Sequence, residues 1–244
     1  IGNLQVIVDD EGEDVTLNVS QIVWFDAKQM GLDQSGTFDP NLSSVDDAIQ
    51  TLKENINSYS YKKFTTYDKS ICQYDGRREV ICSKCEEVCP TVAITKDDKT
   101  KTLTFSQIDC HGCGGCISVC PSGALEYAPM NRESIYEVSK FYKETHPLII
   151  PEKMNITNLE SFLKEGVLPL AIEGEKFLDE SSFLTLLQMS GSQVIFYSDF
   201  LSKGSKDAIR IVNDIYQKKY SKDAILVAMN EDELKTALEE VSFV

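Results

Sequence analysis

Beyond residue 130 the chain alternates short apolar runs with longer stretches in which apolar positions recur every three or four residues. The runs PLIIP (147–151), VLPLAIEG (167–174), SQVIFYS (192–198) and DAILVAMN (223–230) show little polar alternation and read as strands buried on both faces. Around them IYEVSKFYKE (135–144), NLESFLKEG (158–166), SSFLTLLQMSG (181–191), KDAIRIVNDIYQKKY (206–220) and DELKTALEEV (232–241) read as helices. Such alternation implies a mostly parallel sheet, and right-handed crossovers make a small doubly wound α/β domain the natural architecture.

The first sixty residues follow a different pattern. LQVIVDD (4–10) and VTLNVSQIVWFDA (15–27) read as strands around an acidic turn, the second carrying a buried-looking run from Ile22 to Phe25. Asp9, Asp10, Glu11, Glu13 and Asp14 lack the spacing of a calcium loop, so a solvated hairpin tip is expected. Ser43 or Ser44 caps a helix through VDDAIQTLKENINSY (45–59), with Val45, Ile49, Leu52 and Ile56 on one face. So few large apolar groups make a poor independent core, and the segment is expected to pack on something else. One arrangement gives the Trp24 run to the C-terminal sheet as an extra strand; the other leaves three consecutive units.

Between these regions lie all eight cysteines, within residues 72–120. Cys110, Cys113, Cys116 and Cys120 are spaced by two, two and three residues and followed by Pro121. Thirty-one residues upstream, Cys82, Cys85, Cys89 and Pro90 align with Cys113, Cys116, Cys120 and Pro121, while Glu79 falls where Cys110 would be. Cys72 stands apart, nine residues separating it from Cys82. The intervening QYDGRREVI (73–81) holds a Tyr74-Asp75-Gly76 turn signal and is expected to bulge outward and return. Two structural zinc sites would also use eight thiols, but zinc has no need of the third and fourth cysteines, the proline and their duplication. A secreted disulfide scaffold does not suit a chain whose cysteines occupy only 49 of 244 residues.

On these residues, 72 to 127 resemble a two-cluster [4Fe–4S] ferredoxin domain. Ala93-Ile94 and Ala124-Leu125 follow the two prolines at equal distances, as the apolar residues covering the clusters do in that family. AITKDDKTKTLTF (93–105) reads as a hairpin joining the two halves. The resemblance implies two [4Fe–4S] clusters, one held by Cys110, Cys113, Cys116 and Cys89, the other by Cys82, Cys85, Cys120 and one further ligand. Cys72 is the expected fourth; Glu79 ligation, a three-iron cluster or a labile site are the alternatives. Gly112, Gly114 and Gly115 let the backbone approach the sulfides and aim N–H groups at them. The Cys72 loop with Gly76-Arg77-Arg78 is similar to iron–sulfur proteins accompanying formate dehydrogenases and heterodisulfide-reductase-type complexes of anaerobes.

Charge narrows the partners. The formal net charge is −15, and two oxidised cubanes with their thiolates add roughly four further negative charges. Nucleic acid and acidic membranes are disfavoured, and redox proteins with a basic docking surface are expected. No apolar run reaches the length of a membrane span and no signal peptide is visible, so a cytoplasmic location is expected. The chain begins at Ile1 rather than methionine, which leaves room for a longer parent. There is no G-x-G-x-x-G and no Walker lysine motif; Ser205 is expected to cap a helix, His111 to face solvent, and His146 to lack a nucleophile partner.

The reading is an α+β and α/β chain with expected domains at 1–62, 63–130 (ferredoxin-like, dicluster) and 131–244 (α/β). Its expected role is electron transfer as a module or subunit of an anaerobic redox complex, rather than a self-contained enzyme with catalytic side chains. The alternatives are a small oxidoreductase with a cofactor or substrate site in the α/β region and a structural or maturation scaffold. Anaerobically reconstituted protein is expected to bind about eight irons and eight acid-labile sulfides per chain. Stoichiometric zinc after iron-replete reconstitution would overturn that expectation.

Overall fold

The computed structural model describes residues 4–27, 36–56, 58–154 and 163–244. In chain order come β1 (Leu4–Asp10), β2 (Glu13–Val19), β3 (Ile22–Val23), β4 (Thr37–Phe38), α1 (Val45–Glu54), β5 (Thr65–Tyr67), α2 (Lys84–Glu87), β6 (Ile94–Asp97) and β7 (Thr102–Phe105). There follow α3 (Gly115–Ser118), β8 (Leu125–Tyr127), α4 (Arg132–Ser139), β9 (His146–Pro151), β10 (Val167–Ile172), α5 (Glu180–Ser190), β11 (Val194–Tyr197), α6 (Lys203–Tyr220), β12 (Ile225–Ala228) and α7 (Glu231–Glu240). Two compact units emerge: residues 1–65 with 73–112, and residues 66–72 with 113–244. The dividing line passes through the cysteine region.

In the first unit, β1 and β2 form an antiparallel hairpin from Leu4↔Val19 to Asp10↔Glu13. Its acidic tip turns through Glu11 and Gly12, both at positive φ, and the Gly12 N–H donates to the Asp9 carboxylate at 2.7 Å. The expected second strand is cut short at Val19. β3 pairs in parallel with β4, Ile22↔Thr37 and Val23↔Phe38, so among the described residues the Trp24 run adds no strand to the C-terminal sheet. A turn closed by the Ala27 N–H to the Trp24 carbonyl buries Ala27 and sends Phe25 outward at 56% exposure, against the expectation of burial. Ser44 caps α1, its side chain accepting from the Asp47 N–H. The helix ends at Glu54, earlier than expected, and of its apolar face Val45, Ile49 and the following Ile56 are exposed. β6 and β7 form the expected hairpin, Ile94↔Phe105 to Asp97↔Thr102.

The second unit holds a four-stranded, all-parallel sheet of order β10-β9-β11-β12. Its two central strands are buried along both faces, which is why their sequences show no polar alternation. Leu148, Ile150, Ile195, Tyr197 and Ala228 meet Leu234, Ala237 and Leu238 of α7. On the opposite side of β11, Phe196 meets Phe183 of α5 edge-on, with ring centroids 6.0 Å apart. Asn213 of α6 accepts from the Ala224 and Ile225 N–H groups and donates to the Ile225 carbonyl, fixing where β12 begins. Of the expected helices, NLESFLKEG falls mostly outside the described residues.

The α6 cap differs from expectation. Ser202, not Ser205, accepts from the backbone, taking the Ser205 N–H at 3.1 Å, and Ser205 is buried in the first turn. Gly204 lies inside that turn because a Cβ there would come within 2.2 Å of the Ser118 hydroxyl. Phe196 is fully buried in the sheet core. Phe196→Ala is expected to destabilise the second unit by about 3–5 kcal/mol, read as a lower midpoint in urea denaturation followed by circular dichroism.

Candidate metal centre

All eight cysteines are in the thiol form, outside any disulfide. Cys82, Cys85, Cys89 and Cys110 belong to the first unit, Cys72, Cys113, Cys116 and Cys120 to the second. The repeat is visible in the backbone. α2 begins with the Glu86 N–H donating to the Ser83 carbonyl at 3.0 Å, and α3 with the Ile117 N–H donating to the Gly114 carbonyl at 3.0 Å. The Cys89 N–H closes on the Glu86 carbonyl and the Cys120 N–H on the Ile117 carbonyl. The thiols of Cys89 and Cys120 then meet the hydroxyls of Thr91 and Ser122 at 3.8 and 3.7 Å. Each half next needs a residue at positive φ. Gly123 supplies it in one copy at 69°, and Val92, its counterpart 31 residues upstream, is held at 56° in the other.

Cys110 shows how a thiol is prepared. Burial pushes its pKa up, the Gly112 N–H and the Thr65 side chain pull it down, and the nearby Cys89 pushes it up again. Cys89 is thus near enough for its charge to act on Cys110, although 21 positions separate them in sequence. Gly112, at φ 77°, lies under the Phe64 ring, where a Cβ would approach to 2.6 Å. Gly114, at φ 79°, is more confined, because its Cβ would meet the Phe177 Cβ at 2.4 Å and the Phe177 backbone at 2.9 Å. Gly115 opens α3, with the Lys176 side chain 3.8 Å from its Cβ direction. Ala93, Ile94, Ala124 and Leu125 are all buried, as expected of residues behind the ligand loops.

The loop before Cys82 corrects the sequence reading. Gln73 and residues 76–81 are exposed. Tyr74 and Asp75 are buried: the Tyr74 hydroxyl donates to the Asp98 carboxylate at 2.7 Å, and Asp75 accepts from the Leu103 N–H. Gly76 donates to the Lys101 carbonyl and takes φ 69° in a turn closed by the Arg77 N–H to the Tyr74 carbonyl. The turn signal was therefore correct, but it anchors the loop on the β6–β7 hairpin instead of carrying it outward. Cys72 is buried, following a 3-10 turn capped by Asp68, whereas Glu79 is exposed.

Neither histidine behaves as the sequence suggested. His111 is half-buried with its Nε2 out of solvent. His146 Nδ1 lies 2.5 Å from the Ser192 hydroxyl, a partner 46 residues away, but Ser192 is wholly buried and gives no access to a substrate. Phe64, Thr65, Lys176 and Phe177 line the cysteine loops and were not singled out from sequence, because they sit far from the motif and share no spacing with it. Among the described residues, no group of three His, Cys, Asp or Glu side chains is already placed around a single metal ion.

The eight thiols, the repeated helical turns and the glycines of the second cysteine loop suit cubane clusters. Residues 80–124 match the family model of the 4Fe-4S dicluster domain. The match includes seven of the eight cysteines, all but Cys72, and implies two [4Fe–4S] clusters. The chain is also similar to the polyferredoxin protein MvhB of Methanothermus fervidus, 40% identical over 50 residues. That similarity covers 18% of this chain and 12% of the relative. No solved structure matches the chain.

The contrasting backbones of the two halves give a paired expectation. Val92→Gly should stabilise the protein by on the order of 1 kcal/mol by relieving a β-branched residue at positive φ. Gly114→Ala should destabilise it by about 2–4 kcal/mol through left-handed strain and the contact with Phe177. Anaerobic urea denaturation of the reconstituted protein measures both.

Proposed function

We propose that the chain relays single electrons through two [4Fe–4S] clusters as a module of a larger redox complex. The observation that carries this reading is the duplicated cysteine–proline run inside the dicluster match. The relative's description as a polyferredoxin agrees with a part played among other redox subunits. When bound, the clusters supply the one-electron chemistry; the protein's residues hold, orient and shield them.

In this reading Cys110, Cys113, Cys116 and Cys89 hold one cluster, and Cys82, Cys85, Cys120 and Cys72 the other. The influence of Cys89's charge on Cys110 supports the first set, and the burial of Cys72 against the exposure of Glu79 supports the second. The sheet order β10-β9-β11-β12, with α5 and α7 on opposite faces, suits a small doubly wound α/β domain that backs the second cysteine loop. A net charge of −15 favours partners with basic docking surfaces. No described helix is long and apolar enough to cross a membrane.

Substitution at the eighth ligand tests the scheme. Cys72→Ala should convert one cluster to a three-iron form or lose it, leaving the other intact, while Glu79→Ala should leave both in place. Iron analysis with electron paramagnetic resonance reads the result. A silent Cys72→Ala beside a damaging Glu79→Ala would show that the carboxylate is the ligand.

A further inference from the structure

The carboxyl ends of parallel strands are where open α/β sheets take their ligands, in the crevice at which strand order reverses. Here β9 continues into β10 on one side and the next strand, β11, lies on the other, so that crevice falls between β9 and β11. The loop after β10 carries polypeptide, not a small molecule, against this end of the sheet. Its Lys176 N–H donates to the Cys113 carbonyl at 3.0 Å. Phe177 packs on Gly114 and stacks on Tyr127 with centroids 4.5 Å apart. Gly204, at the start of the helix following β11, receives Ser118. The second cysteine loop therefore sits where the fold offers a binding crevice.

Charges gather beside it. Lys153 after β9 pairs with Glu175 after β10 and with Asp199 after β11. Lys176 shares Glu175 at 3.5 Å, and its ammonium lies over the Phe200 ring at 4.9 Å. Of this group Lys176 is the member whose stem lies against Gly115, between two cysteine ligands. In the first half the position of Gly115 is held by Lys84, an exposed residue between Cys82 and Cys85. At the positions of Ile117 and Ser118, 31 residues upstream, stand Glu86 and Glu87.

We propose that Lys176 raises the potential of the cluster that Cys113 and Cys116 help to hold, making that cluster easier to reduce than it would be without the cation. The proposal rests on the ligand assignment above. Reduction adds one negative charge to a cluster, and a neighbouring cation in a partly dehydrated site stabilises that form, whereas carboxylates oppose it. Lys176 is a positioning and tuning residue: its backbone fastens the loop, its stem shields Gly115, and its charge biases the electron toward this cluster. The α/β region then acts as the cluster's seat instead of a site for a second cofactor.

Opposite charge changes at one place provide the test, in the full chain reconstituted anaerobically. Lys176→Met keeps the stem and removes the charge; Glu175→Gln removes the opposing carboxylate; Lys176→Arg restores the cation. Midpoint potentials of both clusters are read by mediated titration with electron paramagnetic resonance, alongside iron and sulfide content. The expected result is a negative shift of one potential in Lys176→Met and a positive shift of the same potential in Glu175→Gln. The other cluster and the Lys176→Arg protein should be unchanged. Unshifted potentials at full iron content, shifts of the same sign in both variants, or equal shifts of both clusters would overturn the proposal. Failure of the unsubstituted protein to bind two clusters would strike the ligand assignment instead.

Discussion

The loop that presents Cys110, Cys113 and Cys116 curls through two positions at positive φ, a conformation that an ordinary L-residue resists. Gly112 and Gly114 meet the requirement at φ 77° and 79°, with no Cβ to obstruct. The space so freed is not left open. Phe64 fills it above Gly112 and Phe177 above Gly114, so the glycines serve both the turn and the packing around it. The rest of the structure is arranged about this demand, with each copy of the loop ending in a short helical turn, a proline, and a residue at positive φ. Where glycine is absent from that last place, as at Val92, the fold holds a β-branched side chain in a conformation it disfavours.

The two loops have different supports. The first is stitched to a hairpin by polar bonds: Tyr74 to Asp98, Asp75 to the Leu103 N–H, Gly76 to the Lys101 carbonyl. The second leans on an apolar sheet through Phe177 and Tyr127, and on a guanidinium. Arg132 contacts the Gly123 carbonyl at 3.2 Å, Glu126 at 2.8 Å and Asp179 at 3.4 Å, joining the turn after Cys120 to the cap of α5. Burial raises the Asp179 pKa, but hydrogen bonds from Ser182 and Ser181 and the charge of Arg132 outweigh it and hold the carboxyl below its usual range. A depressed carboxylate stabilises the fold above the ordinary Asp range and loses that contribution as pH falls through its own lower value. Acid therefore weakens this joint.

The N-terminal segment contributes little core. Ile7, Leu17, Phe25, Val45, Ile49 and Ile56 are exposed, and a two-stranded hairpin has no second layer of its own. Its carboxylate-rich tip keeps the end of the hairpin hydrated.

Much of this was legible in the residues alone. Cysteine spacing pointed to a dicluster domain because geometry within one loop depends on neighbours a few positions apart, and the 31-residue offset exposed the duplication and its departure at Glu79. The strands PLIIP and SQVIFYS declared their burial on both faces by lacking polar alternation, and the structure places them at the centre of the sheet. Three-dimensional packing decided the rest. That Phe25 turns outward, that Ser202 rather than Ser205 caps its helix, and that Tyr74 anchors its loop all depend on partners remote in sequence. So does the seat of the second cysteine loop. Nothing near Lys176 or Gly204 marks them in the chain, because their roles come from contact with residues some 60 to 90 positions away, Cys113 and Ser118, and such pairings exist only once the sheet has brought its loops to one end.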